Sequence, residues 1–335
     1  MKIRVLGGGI YGCHIAAALL DKGHDVVLHE IADRLFSGAS GNIPARLHCG
    51  AHYPRSKLTR EACQAHFDRF MAQYGDFTRG VACNVYAVAD NSLLDFGTYA
   101  QLMRAEIPCI PVYRPEELGI RGVEGAILTG ERHIIVDQLR EHFAIRLDSV
   151  IAFNQPPSVV DDDRWDATID ATFCAHEAAS IDRYEVCLTV LLRGPMNFAL
   201  TIMDGKFPSV YPWDEERGLS SLTSARHTVL HTAYSYEDAA SWRDKFSGGG
   251  AVDNAAILMR GQMNEFYPAI LRDYEHVDNR IAIRAMPSSK ADARLIDVIR
   301  TGDRGIRIRA GKLDAVFAAE TSIEAYLDII ADERK

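Results

Sequence analysis

Three glycines and one acid near the N-terminus carry a chemical pattern: Gly7, Gly9 and Gly12 in the run GGGIYG, and Glu30, 18 residues beyond the last of them. Gly7 permits a tight turn, Gly9 lets the backbone approach a diphosphate, and Gly12 lets a following helix pack closely on its strand. The N–H groups of that helix's first turn, with Ile10 and Tyr11 in it, then face the phosphates. A carboxylate at Glu30 accepts hydrogen bonds from both hydroxyls of an adenosine ribose and would repel a 2′-phosphate, which favours FAD or NAD over NADP. A second concentration of reactive side chains, Arg46, His48, His52, Tyr53 and Arg55, follows within one polar stretch. It combines acid–base groups with planar cations able to grip an anion.

The glycines require a particular framework, and the sequence supplies it. Lys2 to Leu6 is short and apolar enough for a buried parallel strand. Ile15, Ala16, Leu19 and Leu20 recur at helical spacing up to Gly23, and Val26 to His29 forms a second strand that ends at the acid. Strand, glycine turn, helix, strand and terminal carboxylate fall in register, whereas an isolated glycine turn would need none of them.

Composition narrows the classes. The chain has 335 residues, 37 Lys and Arg against 46 Asp and Glu, and a net charge of -9, so a basic field for nucleic acid is missing. No window has the roughly 18 apolar residues of a membrane-spanning helix, and the N-terminus lacks a signal-peptide pattern. A cytoplasmic protein is therefore expected. The seven cysteines form no C-x-x-C pair and the twelve histidines no H-E-x-x-H pattern. Reduced thiols and an organic cofactor are expected, with no metal.

The stretch SGASGNIPARLHCGAHYPRS, Ser37 to Ser56, stands where an NAD dehydrogenase would continue with another strand and helix. With the opening fingerprint, it resembles the D-amino-acid-oxidase-like flavoenzymes, which include glycine oxidase and sarcosine oxidase. VEGAILTGERHIIVDQLREHF (Val123 to Phe143), WDATIDATFCA (Trp165 to Ala175) and the strand, Gly311-Lys312 turn and helix near the C-terminus resemble further family segments, although the usual Thr-Gly pair reads Thr172-Phe173.

The resemblance implies an α/β fold, a Rossmann-like FAD-binding domain with an inserted substrate domain built on a mixed or antiparallel sheet. Residues 1–75, 133–180 and 300–335 are assigned to the first and 76–132 and 181–299 to the second. It implies non-covalent FAD, since Cys49 and His48 match no attachment motif. Ser40, Asn42, Arg46 and Leu47 of the loop, Thr172, and Gly311, Lys312 and Leu313 would face the cofactor, with Lys312 tuning its reduction. His52 and Tyr53 would face the substrate, His52 taking an ammonium or hydroxyl proton, and Arg55 would pair with a substrate carboxylate. The structural alternative, histidines that bond only to loop carbonyls, stands beside that assignment.

In the inserted region, strands are expected at Val81 to Ala89, Ala126 to Thr129, Tyr184 to Arg193, Phe198 to Met203 and Arg280 to Ala285. Helices are expected at Arg55 to Tyr74, Tyr236 to Phe246 and Asp253 to Leu271. Met203 to Trp213 reads as too broken for a strand, with core packing of Phe207, Tyr211 and Trp213 set against a cavity wall. Gly248 to Gly250 reads as a hinge or a plain loop.

The function expected is an FAD-dependent oxidoreductase that oxidises a CH–NH or CH–OH bond of a small polar substrate by hydride transfer to flavin N5. The alternatives are a non-redox sugar-nucleotide mutase, and an inactive or partner-dependent flavin-binding protein.

Overall fold

The computed structural model describes residues 1–156, 164–175, 181–195, 198–247, 249, 251–287, 296–310 and 312–334. The glycine-turn unit forms as its pattern requires. Strand Lys2–Leu6, helix Ile10–Asp21 and strand Asp25–His29 follow one another, and the two strands pair in parallel. Ile15, Ala16 and Leu19 of the helix are buried against the sheet. Gly23 leaves the helix at a φ of 79°, a left-handed conformation that costs glycine least.

These strands belong to a six-stranded sheet in the order Asp297–Thr301, Gly305–Ala310, Ala167–Asp170, Lys2–Leu6, Asp25–His29, Ile151–Ala152. All its pairs are parallel except the first. The C-terminal helix Val316–Glu333 covers it with Val316, Phe317, Ile323 and Leu327. Since Asp297–Thr301 is a strand of this sheet, the chain crosses back before residue 297, and the boundary expected at 299/300 would cut a strand.

The second sheet has nine strands. Ile181–Arg193 pairs antiparallel with Glu275–Pro287 along its length, and Phe198–Met203 pairs in parallel with Cys83–Ala89. One face carries Val85, Ala87, Leu188, Val190, Leu200, Ile202, Val210 and Leu222, packed on Met259 and Met263 of helix Ala251–Phe266. By the two-residue strand period the opposite face carries Asn84, Tyr86, Thr189, Thr201, Ser209, Tyr211 and Ser221. All seven are buried.

Two expectations are corrected here. Pro208–Asp214 is a strand in the centre of this sheet, not a broken segment. Pro208 opens it, and the register shifts between Pro212 and Asp214, so the prolines fall where a ladder tolerates a missing N–H. The helix expected over Asp253 to Leu271 breaks at Pro268 into Ala251–Phe266 and Ala269–Arg272. Gly248 and Gly250 lie outside the described residues.

A small third sheet joins the two. Arg46–Leu47 and Thr78–Gly80 flank Arg132–Ile134, both antiparallel, so the loop after the second strand is pinned beside the entry to helix Val136–Arg146.

Candidate active site

The glycine turn forms a cradle that side chains would fill. A Cβ on Gly12 would lie 1.9 Å from the Gly7 carbonyl oxygen, and one on Gly7 would lie 2.8 Å from the Ala171 carbonyl and 3.2 Å from Thr172 Cα. Gly7 and Thr172 are thereby brought together. Helix bonding starts at Cys13 N–H to Gly9 O, which leaves the N–H groups of Tyr11 and Gly12 without an acceptor inside the helix. Ser40 Oγ accepts the N–H of Ile10 at 3.1 Å, which places the loop directly over the helix start.

Glu30 stands at the end of its strand and is 7% exposed. One oxygen accepts from Gly8 N–H at 2.5 Å and the other from Ala32 N–H at 2.8 Å. Each keeps a lone pair for a further donor. Thr172 N–H and Oγ1 donate to Asp170 at 2.9 and 2.6 Å. Phe173 occupies the position of the family's glycine and holds a φ of 61°, so the backbone keeps the left-handed turn although the residue type departs.

The C-terminal turn meets this helix. Tyr11 OH donates to Lys312 O at 2.6 Å, and burial with the nearby Asp314 charge pushes the phenol well above its ordinary value. Lys312 Nζ lies 3.6 Å from the Tyr53 ring centroid and 2.7 Å from Cys63 Sγ. Burial works against the ammonium, but Tyr53, Cys63 and Asp314 raise it above its usual value. Asp314 is fully buried, neither oxygen has a hydrogen-bond partner, and burial pushes its carboxyl up against the pull of Lys312, His48 and His66. Leu47 and Leu313 turn their side chains into the core of the six-stranded sheet, leaving only their backbones for a ligand. Gly311 lies outside the described residues.

Three loop assignments change. Arg46 points away from the cradle and onto the nine-stranded sheet. It donates to Thr201 Oγ1 at 3.0 Å and Ser209 Oγ at 2.7 Å, with its guanidinium 4.2 Å over the Tyr211 ring. Arg55 Nε donates to Asp204 Oδ2 at 2.8 Å, so part of its half-exposed guanidinium is already engaged by a protein carboxylate. Asn42 spends its side-chain N–H groups on Ser37 O and Gly38 O, both at 2.8 Å, which closes its own turn. It also borders an open cleft of about 620 Å³ with His276, Asp278 and Arg280, away from the glycine turn.

His52 and Tyr53 do come together, with ring centroids 5.0 Å apart, and His48 stands 5.6 Å from His52. At the centre of this group is Glu131, which the sequence reading did not single out. It is 0% exposed and accepts from Tyr86 OH at 2.6 Å, Cys49 N–H at 3.1 Å and His48 Nδ1 at 3.3 Å. Burial opposes its charge, but His48, Tyr86 and the field of His52 hold the carboxyl down at about 2. The His48 ring therefore bonds to more than loop carbonyls.

The family model for FAD-dependent oxidoreductases, DAO, matches residues 2–139. The FAD-dependent monooxygenase FPY4 of Fusarium mangiferae is 33% identical over 344 residues, which cover 99% of this chain and 92% of that protein. The chain belongs to the DAO family of FAD-dependent oxidoreductases. The FAD-dependent monooxygenase kojA of Aspergillus flavus is 25% identical over 383 residues, covering 100% of this chain and 87% of its own. Among solved structures, FAD-bound L-alpha-glycerophosphate oxidase from Mycoplasma pneumoniae superposes with a TM-score of 0.72 at 14% identity, over 98% of this chain and 94% of that one. Glycine oxidase from Geobacillus kaustophilus gives 0.65 at 15% identity, over 100% and 95%.

Membership makes FAD the cofactor, and the residues fit it. The Gly7–Gly12 cradle has no room for a Cβ on Gly12, the free first-turn N–H groups face outward from the helix start, and Glu30 keeps acceptor capacity. Asp314 adds two buried oxygens that lack a donor. Among the described residues no helix is long and apolar enough to cross a membrane.

Proposed function

We propose that the chain oxidises a CH–OH or CH–NH bond of a small polar molecule, with FAD held non-covalently. Bound FAD supplies the two-electron acceptor that protein side chains lack. The observation that carries this reading is the convergence of three segments distant in sequence. The dinucleotide helix, through Tyr11, the C-terminal turn, through Lys312, and the histidine loop, through Tyr53, meet within hydrogen-bond and ring contact.

Gly7, Gly9, Ile10, Tyr11 and Gly12 would hold the diphosphate, with Ser40 closing over it and Thr172 beside it, and Glu30 would bind the ribose. Lys312 and the start of the C-terminal helix would stabilise negative charge on the reduced ring. His48, His52 and Tyr53 would border the substrate. On this reading the six-stranded sheet is the cofactor domain and the nine-stranded sheet the substrate domain. Non-covalent binding draws support from Cys49, whose thiol is turned to Glu131 and pushed up by burial, which keeps it out of the reactive thiolate form.

Anaerobic mixing with panels of amino acids, 2-hydroxy acids and sugars tests the reading: one class should bleach the visible flavin band. Acid precipitation should leave the flavin in the supernatant, and a yellow pellet would overturn non-covalent binding. A second reading, oxygen insertion, draws support from the printed names of the two fungal relatives. It would be selected if labelled dioxygen entered the product and turnover required an added reductant. Turnover with no electron acceptor at all would select a mutase.

A further inference from the structure

We infer that Arg60 is a positioning residue: locked to Glu106, it fixes the Tyr53 backbone so that the Tyr53 ring faces Lys312, and through that contact it sets the charge presented to the flavin. The inference deepens the oxidoreductase reading above and rests on it for the flavin, whereas the Tyr53–Lys312 contact stands without it.

Arg60 lies near the start of helix Lys57–Tyr74 and is 4% exposed. All three guanidinium nitrogens are used. Nε donates to Glu106 Oε2 at 2.5 Å and Nη2 to Oε1 at 2.8 Å, a two-pronged grip on one carboxylate. Nη1 donates to Tyr53 O at 3.0 Å and Pro54 O at 2.7 Å. The Arg60 hydrogen bonds hold the Glu106 carboxyl below its usual range, so the pair stays charged at neutral pH.

Glu106 closes helix Phe96–Glu106, which packs on the nine-stranded sheet through Tyr99, Ala100 and Met103. The same helix holds the loop a second time, because Tyr99 OH donates to Ala51 O at 2.9 Å. Gly50 admits the close approach: its φ is 112°, and a Cβ there would lie 3.3 Å from Arg60 Cα. The turn from Tyr53 N–H to Gly50 O, at 3.0 Å, then closes the segment.

Tyr53, whose carbonyl Arg60 grips, places its ring centroid 3.6 Å from Lys312 Nζ. One turn further along the same helix face, Cys63 Sγ accepts from Lys312 Nζ at 2.7 Å. Arg60 and Cys63 therefore hold the two members of the contact from one surface, the first by the tyrosine's backbone and the second by the lysine's ammonium.

The residue type points to geometry rather than stability. A buried ion pair gains little over well-packed apolar side chains, since desolvation of both charges offsets their attraction. What an apolar pair lacks is a planar fork that holds a carboxylate and two carbonyls at set distances. Lysine lacks it too, because one ammonium cannot span both oxygens of Glu106 and both carbonyls.

Arg60→Lys is the test variant, since it keeps the charge and removes the fork. In the FAD-free chain carrying isotope-labelled lysine, NMR should show the Lys312 ε-methylene signal, assigned by its absence in Lys312→Met, upfield of the other lysines under the Tyr53 ring. It should move back toward them in Arg60→Lys and in Tyr53→Leu. In the FAD-loaded protein, Arg60→Lys should shift the ratio of oxidised to reduced flavin at a fixed dye potential roughly tenfold toward oxidised, about 30 mV. In a Lys312→Met background the same substitution should shift it less than about twofold. That loss of effect separates positioning from plain destabilisation, which would act in both backgrounds. Should Arg60→Lys not fold, Glu106→Gln leaves the fork but weakens its grip, and should move both readouts in the same direction by a smaller amount. A Lys312 signal that stays upfield in Arg60→Lys, an unmoved flavin ratio, or equal shifts in both backgrounds would overturn the inference while leaving the oxidoreductase reading intact. A chain that takes up no FAD would overturn that reading and the flavin half of this inference, and the lysine signal would still decide the other half.

Discussion

Gly12→Ala tests the contact on which cofactor binding depends in the proposed arrangement. The added Cβ would sit 1.9 Å from the Gly7 carbonyl oxygen and 3.1 Å from its carbon, with Leu28 behind it at 3.5 Å. To reach an ordinary 3.4 Å contact, helix and turn must part by about 1.5 Å. Neither side yields cheaply. Gly7 N–H is fixed to His29 O at 2.8 Å, and the helix is anchored by Ile15, Ala16 and Leu19 in the core. Overpacking of this kind costs about 1–3 kcal/mol. A displacement of that size also draws the first-turn N–H groups off the diphosphate, and each charge-assisted bond lost is worth about 1.5–3 kcal/mol. The expected outcome is FAD binding weaker by roughly 10- to 100-fold, measured by quenching of flavin fluorescence on titration into the FAD-free protein, with a Tm lowered by a few degrees. Gly23→Ala is the control. It lies at a φ of 79° with nothing within 4 Å, so it should lose about 1–2 kcal/mol to strain and nothing from FAD affinity. If Gly12→Ala bound FAD as tightly as the natural chain, or if Gly23→Ala lost as much affinity, the steric argument would fail.

Lys312→Met removes the ammonium beside Tyr53 and Cys63 and should lower the flavin's two-electron potential by about 30 mV or more, roughly 1.4 kcal/mol. Dye equilibration measures it, and an unchanged potential would remove Lys312 from the ring's surroundings. Burial raises the Asp314 carboxyl, so its contribution to stability is present below the ordinary carboxylate value and is lost as pH rises through the raised folded value. Asp314→Asn lacks that slope, so the variant should gain on the natural chain in Tm of the FAD-free protein between about pH 4 and pH 7; parallel Tm curves would contradict this. Arg55→Gln breaks a half-exposed ion pair with Asp204 and should cost at most about 1 kcal/mol. It should change KM for a carboxylate-bearing substrate by less than about threefold, and a tenfold rise would return Arg55 to the substrate.

The parts of this protein legible in sequence are those fixed by neighbours along the chain. The glycine turn, its helix, Glu30 and the helix beginning after Ser56 form where their spacing places them, and Ser56 caps its helix by accepting from Thr59 N–H. Five strands of the second sheet are visible through alternation; Pro208–Asp214, where two prolines mask a central strand, and Cys109–Val112, Leu219–Ser224 and Val229–Ala233 are not. Glu131 left no such signal. Its partners His48, Cys49 and Tyr86 lie 45 to 83 residues away, and pairing in two sheets brings them together: Arg46–Leu47 with Arg132–Ile134, and Cys83–Ala89 with Val123–Thr129.

The placements of Arg46 and His48 have one common cause. In an irregular loop either side chain could face either way. The loop contains a two-residue strand, Arg46–Leu47, and a strand imposes alternation. Leu47 enters the core of the six-stranded sheet, so Arg46 and His48 on either side of it must face the other way. Arg46 meets the hydroxyls of Thr201 and Ser209 and His48 meets Glu131. A single buried leucine flanked by two ionisable residues was thus the readable trace of this strand. It directs both side chains away from the core of the six-stranded sheet and, in the arrangement proposed, leaves the backbone of the same segment to border the cofactor.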